Sequence, residues 1–178
     1  MGMNREQRLP HSTLDLERAA RIGHAEVVYG HGKSAAQVAD ALTALAKANG
    51  FAFATRVNAE KAADALGLLG AGAVYTPEAG VLSVGTPPAA VGLVAVVSAG
   101  TSDELVAAEA ERCAELLGNG VLSVRDVGVS GLHRVLSRVD ELRACNAVVV
   151  VAGMDGALPS VVGGLVGCPV IAVPTSVG

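Results

Sequence analysis

Tryptophan is absent from this 178-residue chain, and only Phe51, Phe53, Tyr29 and Tyr75 are aromatic. Without aromatic platforms for stacked bases, and with a net charge of −4, the chain offers no footprint for nucleic acid. Charged residues are few, at 17%. Apolar runs are short, and none reaches the ~20 residues of a membrane-spanning helix. The polar start from Met1 to His11 lacks the apolar stretch of a secretory signal, and Met1-Gly2-Met3 resembles an added initiator. Cysteine is scarce and odd in number: Cys113, Cys145 and Cys168 are widely spaced and form no metal-ligand pair. They read as reduced, mostly buried thiols of a cytoplasmic protein.

Hydrophobic residues make up 51% of the chain, and 22 residues are glycine. With so few aromatics, the core is expected to consist of Val, Leu, Ile and Ala. That composition suits buried parallel strands flanked by helices. Strands are expected at Glu26–Tyr29, Phe51–Val57, Val81–Val84, Leu93–Val97, Val121–Val127, Ala147–Ala152 and Pro169–Val173. Ser34 is expected to cap a helix that ends at Asn49-Gly50, and Asn58 one that runs to Leu69. Thr101 and Glu104 form a candidate capping box. Helices are further expected over Gly131–Cys145 and Gly156–Val166. The Gly85-Thr86-Pro87-Pro88 break places a boundary near residue 90, giving domains 1–90 and 91–178. Strands alternating with helices predict an α/β fold built on a doubly wound parallel sheet.

Gly32-Lys33-Ser34 has the ending of a P-loop, but the position of its first glycine is Val27. The segment reads as a turn and a helix cap. In the second half, four successive strands end in Gly- and Ser-rich loops. Ser98-Ala99-Gly100-Thr101-Ser102-Asp103 lies between a strand and a helix start, where backbone N–H groups favour an anion. Asp126 to Arg134 contributes His133, suited to proton transfer, and Arg134, suited to carboxylate or phosphate. Gly153-Met154-Asp155-Gly156 supplies a carboxylate among glycines, and Pro174-Thr175-Ser176-Val177-Gly178 follows the last strand. Convergence of such loops at the carboxyl edge of a sheet marks a ligand site.

In order and content these loops resemble the PurE family of aminoimidazole ribonucleotide carboxylases and mutases. Gly100-Thr101-Ser102-Asp103 is similar to that family's phosphate loop. Ser130-Gly131-Leu132-His133-Arg134 is similar to its histidine segment, with one extra residue. Gly153 to Pro159 is similar to its Gly-rich loop, but Ala157 replaces a histidine there. The resemblance to the LarB family, whose second domain is PurE-like, is closer. It extends over Ser98 to Asp103, Asp126 to Arg134 and Gly153 to Gly178. Asp15, Arg18, Arg21, Gly23, Glu26, Val27 and Gly32-Lys33 resemble the LarB N-terminal segment.

The resemblance implies a PurE-like, three-layer α/β/α domain preceded by a small α/β domain. It also implies a reaction on nicotinic acid adenine dinucleotide. The pyridinium ring is carboxylated from CO2 or bicarbonate, and the phosphoanhydride is then hydrolysed to release AMP, in the synthesis of a nickel-pincer cofactor. Thiolate addition makes the ring nucleophilic, and a base later removes the ring proton. Asp155 and His133 are the candidate bases. Ser98, Gly100, Thr101, Ser102, Asp103, Arg134, Gly153, Met154, Gly156 and Ser176 are the candidate substrate contacts. No protein-bound metal is expected, with Mg2+ a candidate helper for hydrolysis. A homo-oligomer is expected, with an octamer as the family's form. The family's cysteine follows the Pro-Thr-Ser-Val-Gly turn, so residues 1–178 are expected to end before it. An aminoimidazole ribonucleotide carboxylase and a non-catalytic nucleotide-binding fragment are the alternatives.

Overall fold

The computed structural model describes residues 6–176. The last two residues of the Pro174–Gly178 turn lie outside that range. The chain divides into two compact units, Met1–Pro87 and Pro88–Gly178.

The first unit opens with an antiparallel hairpin, β1 (Glu6–Leu9) and β2 (Ser12–Asp15), followed by a single helical turn, α1 (Arg18–Ile22). Next come β3 (Val28–Tyr29), α2 (Ala35–Asn49), β4 (Phe51–Thr55), α3 (Ala59–Leu69), β5 (Ala73–Thr76) and β6 (Val81–Gly85). The strand order is β3-β4-β6-β5, with only β3 and β4 parallel. Helix α2 forms where expected. The Ser34 hydroxyl accepts from the Gln37 N–H and the Gln37 side chain reaches back to the Ser34 N–H, while Gly50 ends the helix in the left-handed region. The Asn58 side chain caps α3 with a single bond, accepting the Lys61 N–H. Val38, Leu42 and Leu45 face the sheet at helical spacing and pack with Ala52, Ala54 and Leu82.

The second unit contains β7 (Gly92–Ser98), α4 (Glu104–Leu116), β8 (Asn119–Val124), α5 (Leu132–Leu136), α6 (Val139–Arg143), β9 (Ala147–Ala152), α7 (Leu158–Gly163) and β10 (Val170–Pro174). All pairings are parallel, in the order β10-β9-β7-β8. Side chains alternate across this sheet. Ala95, Val97, Val148 and Val150 meet Val135, Leu142, Leu158 and Val162 of α5 to α7. Val96 and Val151 face the other way, onto Ala107 of α4. Helices therefore cover both faces, as a doubly wound sheet requires. Strand order reverses beside β7, so the β7–β9 boundary is the switch point where such sheets bind ligands. The buried side chains are almost all Val, Leu and Ala.

Several expected elements come out differently. Thr101 does not cap a helix: residues Thr101–Asp103 form a 3-10 turn, and α4 begins only at Glu104. The helix expected over Gly131–Cys145 is two short helices interrupted at Ser137-Arg138, and the one expected over Gly156–Val166 shortens to α7. Strands β1, β2 and β5 were not expected. No helix among the described residues is long and apolar enough to cross a membrane.

Candidate functional site

At the carboxyl ends of the parallel strands of the second unit, backbone hydrogen bonds lock the loops onto one another. After β7, Ala99 donates its N–H to Val151 of β9. After β8, Val127 and Gly128 donate to the Ser98 and Ala99 carbonyls at 3.1 and 2.9 Å. A Cβ on Gly128 would lie 2.8 Å from the Ala99 oxygen, so this approach requires glycine. After β10, Thr175 donates its N–H to Ala152.

The loops enclose a cavity of about 450 Å³. Gly100, Ser102 and Asp103 line it from the first loop, Arg134 from α5, and Gly153, Met154 and Asp155 from the loop after β9. Seven of the expected site residues are thus brought together. The other five lie outside the lining. Thr101, His133, Gly156 and Ser176 are exposed, His133 on the first turn of α5. Ser98 is fully buried beneath the first loop, and its hydroxyl has no hydrogen-bond partner among the described residues. Asp126, Gly128, Ser130, Ala157 and Leu158 also line the cavity. All five belong to loops that the sequence singles out: Asp126, Gly128 and Ser130 lead into His133 and Arg134, and Ala157 and Leu158 follow the Gly153–Gly156 segment.

Strain and charge are concentrated here. Asp126 and Met154 are non-glycine residues at positive φ, 53° and 44°. Such strain, of order 1–3 kcal/mol each, clusters at functional sites. Arg134 Nη1 donates to Asp126 Oδ2 at 2.7 Å across a partly solvated pair. The Arg134 guanidinium lies over Gly131, where a Cβ would meet its Nε at 2.5 Å. Asp103 is only 3% exposed, and both its oxygens are engaged: Oδ2 accepts the Gly100 N–H at 3.0 Å and Oδ1 the Thr175 hydroxyl at 2.7 Å. Asp155 is exposed and has no ion-pair partner among the described residues.

The helix starts around the cavity are open. No side-chain hydrogen bond caps α4, α5 or α7. In the turn ahead of α4, Asp103 donates its N–H to Gly100. The first two N–H groups of that turn, on Thr101 and Ser102, have no intrahelical acceptor.

A family model described as LarB/PurE-like N-terminal domain matches residues 6–86. The chain is also 39% identical over 173 residues to an uncharacterized protein of Methanocaldococcus jannaschii, a match covering 92% of this chain and 67% of that protein. The chain belongs to the LarB family. Membership accords with the PurE-like α/β fold, and the cavity lies at the sheet's switch point, where open α/β sheets bind ligands.

The cysteines lie away from the LarB-like loops. Cys145 and Cys168 precede β9 and β10, at the amino edge of the sheet. A strand of that length spans roughly 20 Å. Burial, then the neighbouring Cys168 and Glu141, pushes the Cys145 thiol above its ordinary value. Cys113 lies near the far end of α4, about 14 Å along the helix from its start. Among the described residues, no group of three or more His, Cys, Asp or Glu is gathered to hold a metal ion. Asp103 and Asp126 are both committed to protein partners, Thr175 and Arg134.

A more open groove of about 640 Å³ lies in the first unit, lined by Gln7, Leu9, Leu16, Asp40, Thr43 and Lys47. It contains no glycine loop, helix start or nucleophile beside a base, so the switch-point cavity is the better candidate.

Proposed function

We propose that the switch-point cavity binds nicotinic acid adenine dinucleotide and supports carboxylation of its pyridinium ring, followed by phosphoanhydride hydrolysis with release of AMP. One observation carries most of this reading: the turn after β7, through Gly100 and Ser102, a guanidinium after β8 and a carboxylate after β9 share one cavity at the switch point. Ser102, which lines the cavity at the start of the turn before α4, suits a phosphate. Arg134 suits a phosphate or the ring carboxylate. The LarB relationship supplies the substrate.

The chemistry has to overcome the electron-poor ring, which does not attack CO2 unaided. A thiolate adds to a ring carbon, a C–S bond forms, and the neighbouring carbon becomes enamine-like. That carbon attacks CO2 and forms the new C–C bond. A base removes the proton at the carboxylated carbon. Its electron pair restores the ring as the C–S bond breaks and thiolate departs. Asp155 lines the cavity and His133 does not, which favours Asp155 as the base. Water then attacks phosphorus, and AMP leaves. The thiolate in this reading is the family's cysteine, which follows the Pro-Thr-Ser-Val-Gly turn, because Cys113, Cys145 and Cys168 lie away from the cavity loops. A homo-oligomer belongs to the same reading, and light scattering tests it.

Calorimetry with nicotinic acid adenine dinucleotide and aminoimidazole ribonucleotide tests the assignment. The dinucleotide is expected to bind more tightly. The reverse preference would favour a purine-pathway carboxylase, and binding of neither would remove the substrate from the account.

A further inference from the structure

Asp103 was expected to contact the substrate, yet its carboxylate is turned into the protein. We infer that Asp103 and Thr175 form a positioning bridge that fixes the anion-binding turn after β7 to the loop after β10, an inference that rests on the proposed function of this cavity.

The strands that carry the two loops are not neighbours: β9 lies between β7 and β10. With strands ~4.8 Å apart, the bridge spans two spacings, roughly 10 Å, over the end of β9. Each loop is already fixed to β9 by a backbone bond, Ala99 N–H to Val151 and Thr175 N–H to Ala152. The Thr175 hydroxyl, donating to Asp103 Oδ1, joins the two loops directly. The other oxygen, Oδ2, holds the Gly100 N–H, and the Asp103 N–H holds the Gly100 carbonyl.

Gly100 is therefore clamped at both its polar groups by one residue, and the N–H groups of Thr101 and Ser102, the first two of the turn, have no intrahelical acceptor. A free carboxylate here would repel a phosphate. One whose oxygens are both taken by protein donors acts through the turn instead. The bridge also explains how a carboxylate only 3% exposed is tolerated, because a buried charge requires hydrogen-bonded partners. Its two ends are 72 residues apart.

The test uses Thr175→Val, which keeps the β-branched shape and removes the hydroxyl, and Thr175→Ser, which keeps the hydroxyl. Amide hydrogen exchange at Gly100 reads the bridge, and calorimetry with AMP reads the site. Thr175→Val should accelerate Gly100 exchange and weaken AMP binding, each roughly tenfold or more, the scale of a lost charge-assisted bond. Thr175→Ser should stay near wild type in both. Unchanged Gly100 exchange in Thr175→Val would overturn the bridge. Faster exchange with unchanged AMP affinity would make the bridge structural and overturn its positioning role. If wild type binds no AMP, the functional reading and the positioning role fail together, while exchange still decides whether the bridge exists.

Discussion

In the first unit, each long helix that follows a parallel strand is closed by its own sequence: Ser34 and Gln37 cap α2, and Asn58 caps α3. In the second unit, the helices after β7, β8 and β9 have no side-chain cap, and residues from their starting turns line one cavity. A self-capped helix start has satisfied its donors and has little left to offer a ligand. An uncapped start keeps donors in reserve, which costs stability unless water or an anion meets them. The same local device, strand then turn then helix, serves packing in one unit and is left open for binding in the other.

Core truncations give the largest effects and break the comparison most sharply. Leu42→Ala in the first unit and Leu158→Ala in the second each empty a fully buried site. Each is expected to lose about 2–5 kcal/mol in denaturant melts. Only Leu158→Ala should also weaken nucleotide binding, because Leu158 forms cavity wall as well as core.

Next comes Arg134→Ala, expected to weaken nicotinic acid adenine dinucleotide binding by about 1.5–3 kcal/mol in calorimetry. Its stability should fall by no more than ~1 kcal/mol, because the pair with Asp126 is partly solvated. Ser34→Ala should do the opposite, with about 1 kcal/mol of stability lost and affinity unchanged. Comparable affinity losses in the two variants would erase the distinction between the units.

Gly131→Ala has the smallest expected effect on stability. The backbone there, at φ −121° and ψ 61°, needs no glycine, and the new Cβ meets only the movable end of Arg134. Stability should stay within ~0.5 kcal/mol of wild type, while affinity moves part of the way toward that of Arg134→Ala. Wild-type affinity would mean that the placement of Arg134 over Gly131 is incidental.

Much of this was legible in the sequence where local signals agree with the fold. The Ser34 and Asn58 caps, the Gly50 stop and the Val-rich run Ala147–Ala152 each fall where their chemistry predicts. The hairpin β1–β2 was not, because its residues are mainly polar, only Leu14 is buried, and no alternating apolar stripe marks it. No glycine or proline marks the break between α5 and α6. Thr101 looked like a cap because Ser/Thr followed by Glu three residues on is a genuine cap signal. The turn is instead held by Asp103, whose partner Thr175 is too far along the chain for any local pattern to reveal. The convergence of the loops was legible. Which side chains face the cavity was not, since burial of Asp103 and exposure of His133 depend on tertiary packing.

The most direct test of the contrast between capped and open helix starts is a titration of isotopically labelled protein with nicotinic acid adenine dinucleotide, followed by amide NMR. Saturable shifts are predicted at Thr101, Ser102, Gly128 and Gly153, with the Ser34–Gln37 and Asn58–Lys61 amides unmoved. Shifts centred on the capped starts of α2 and α3, or none at Thr101 and Ser102 under saturation, would contradict the account.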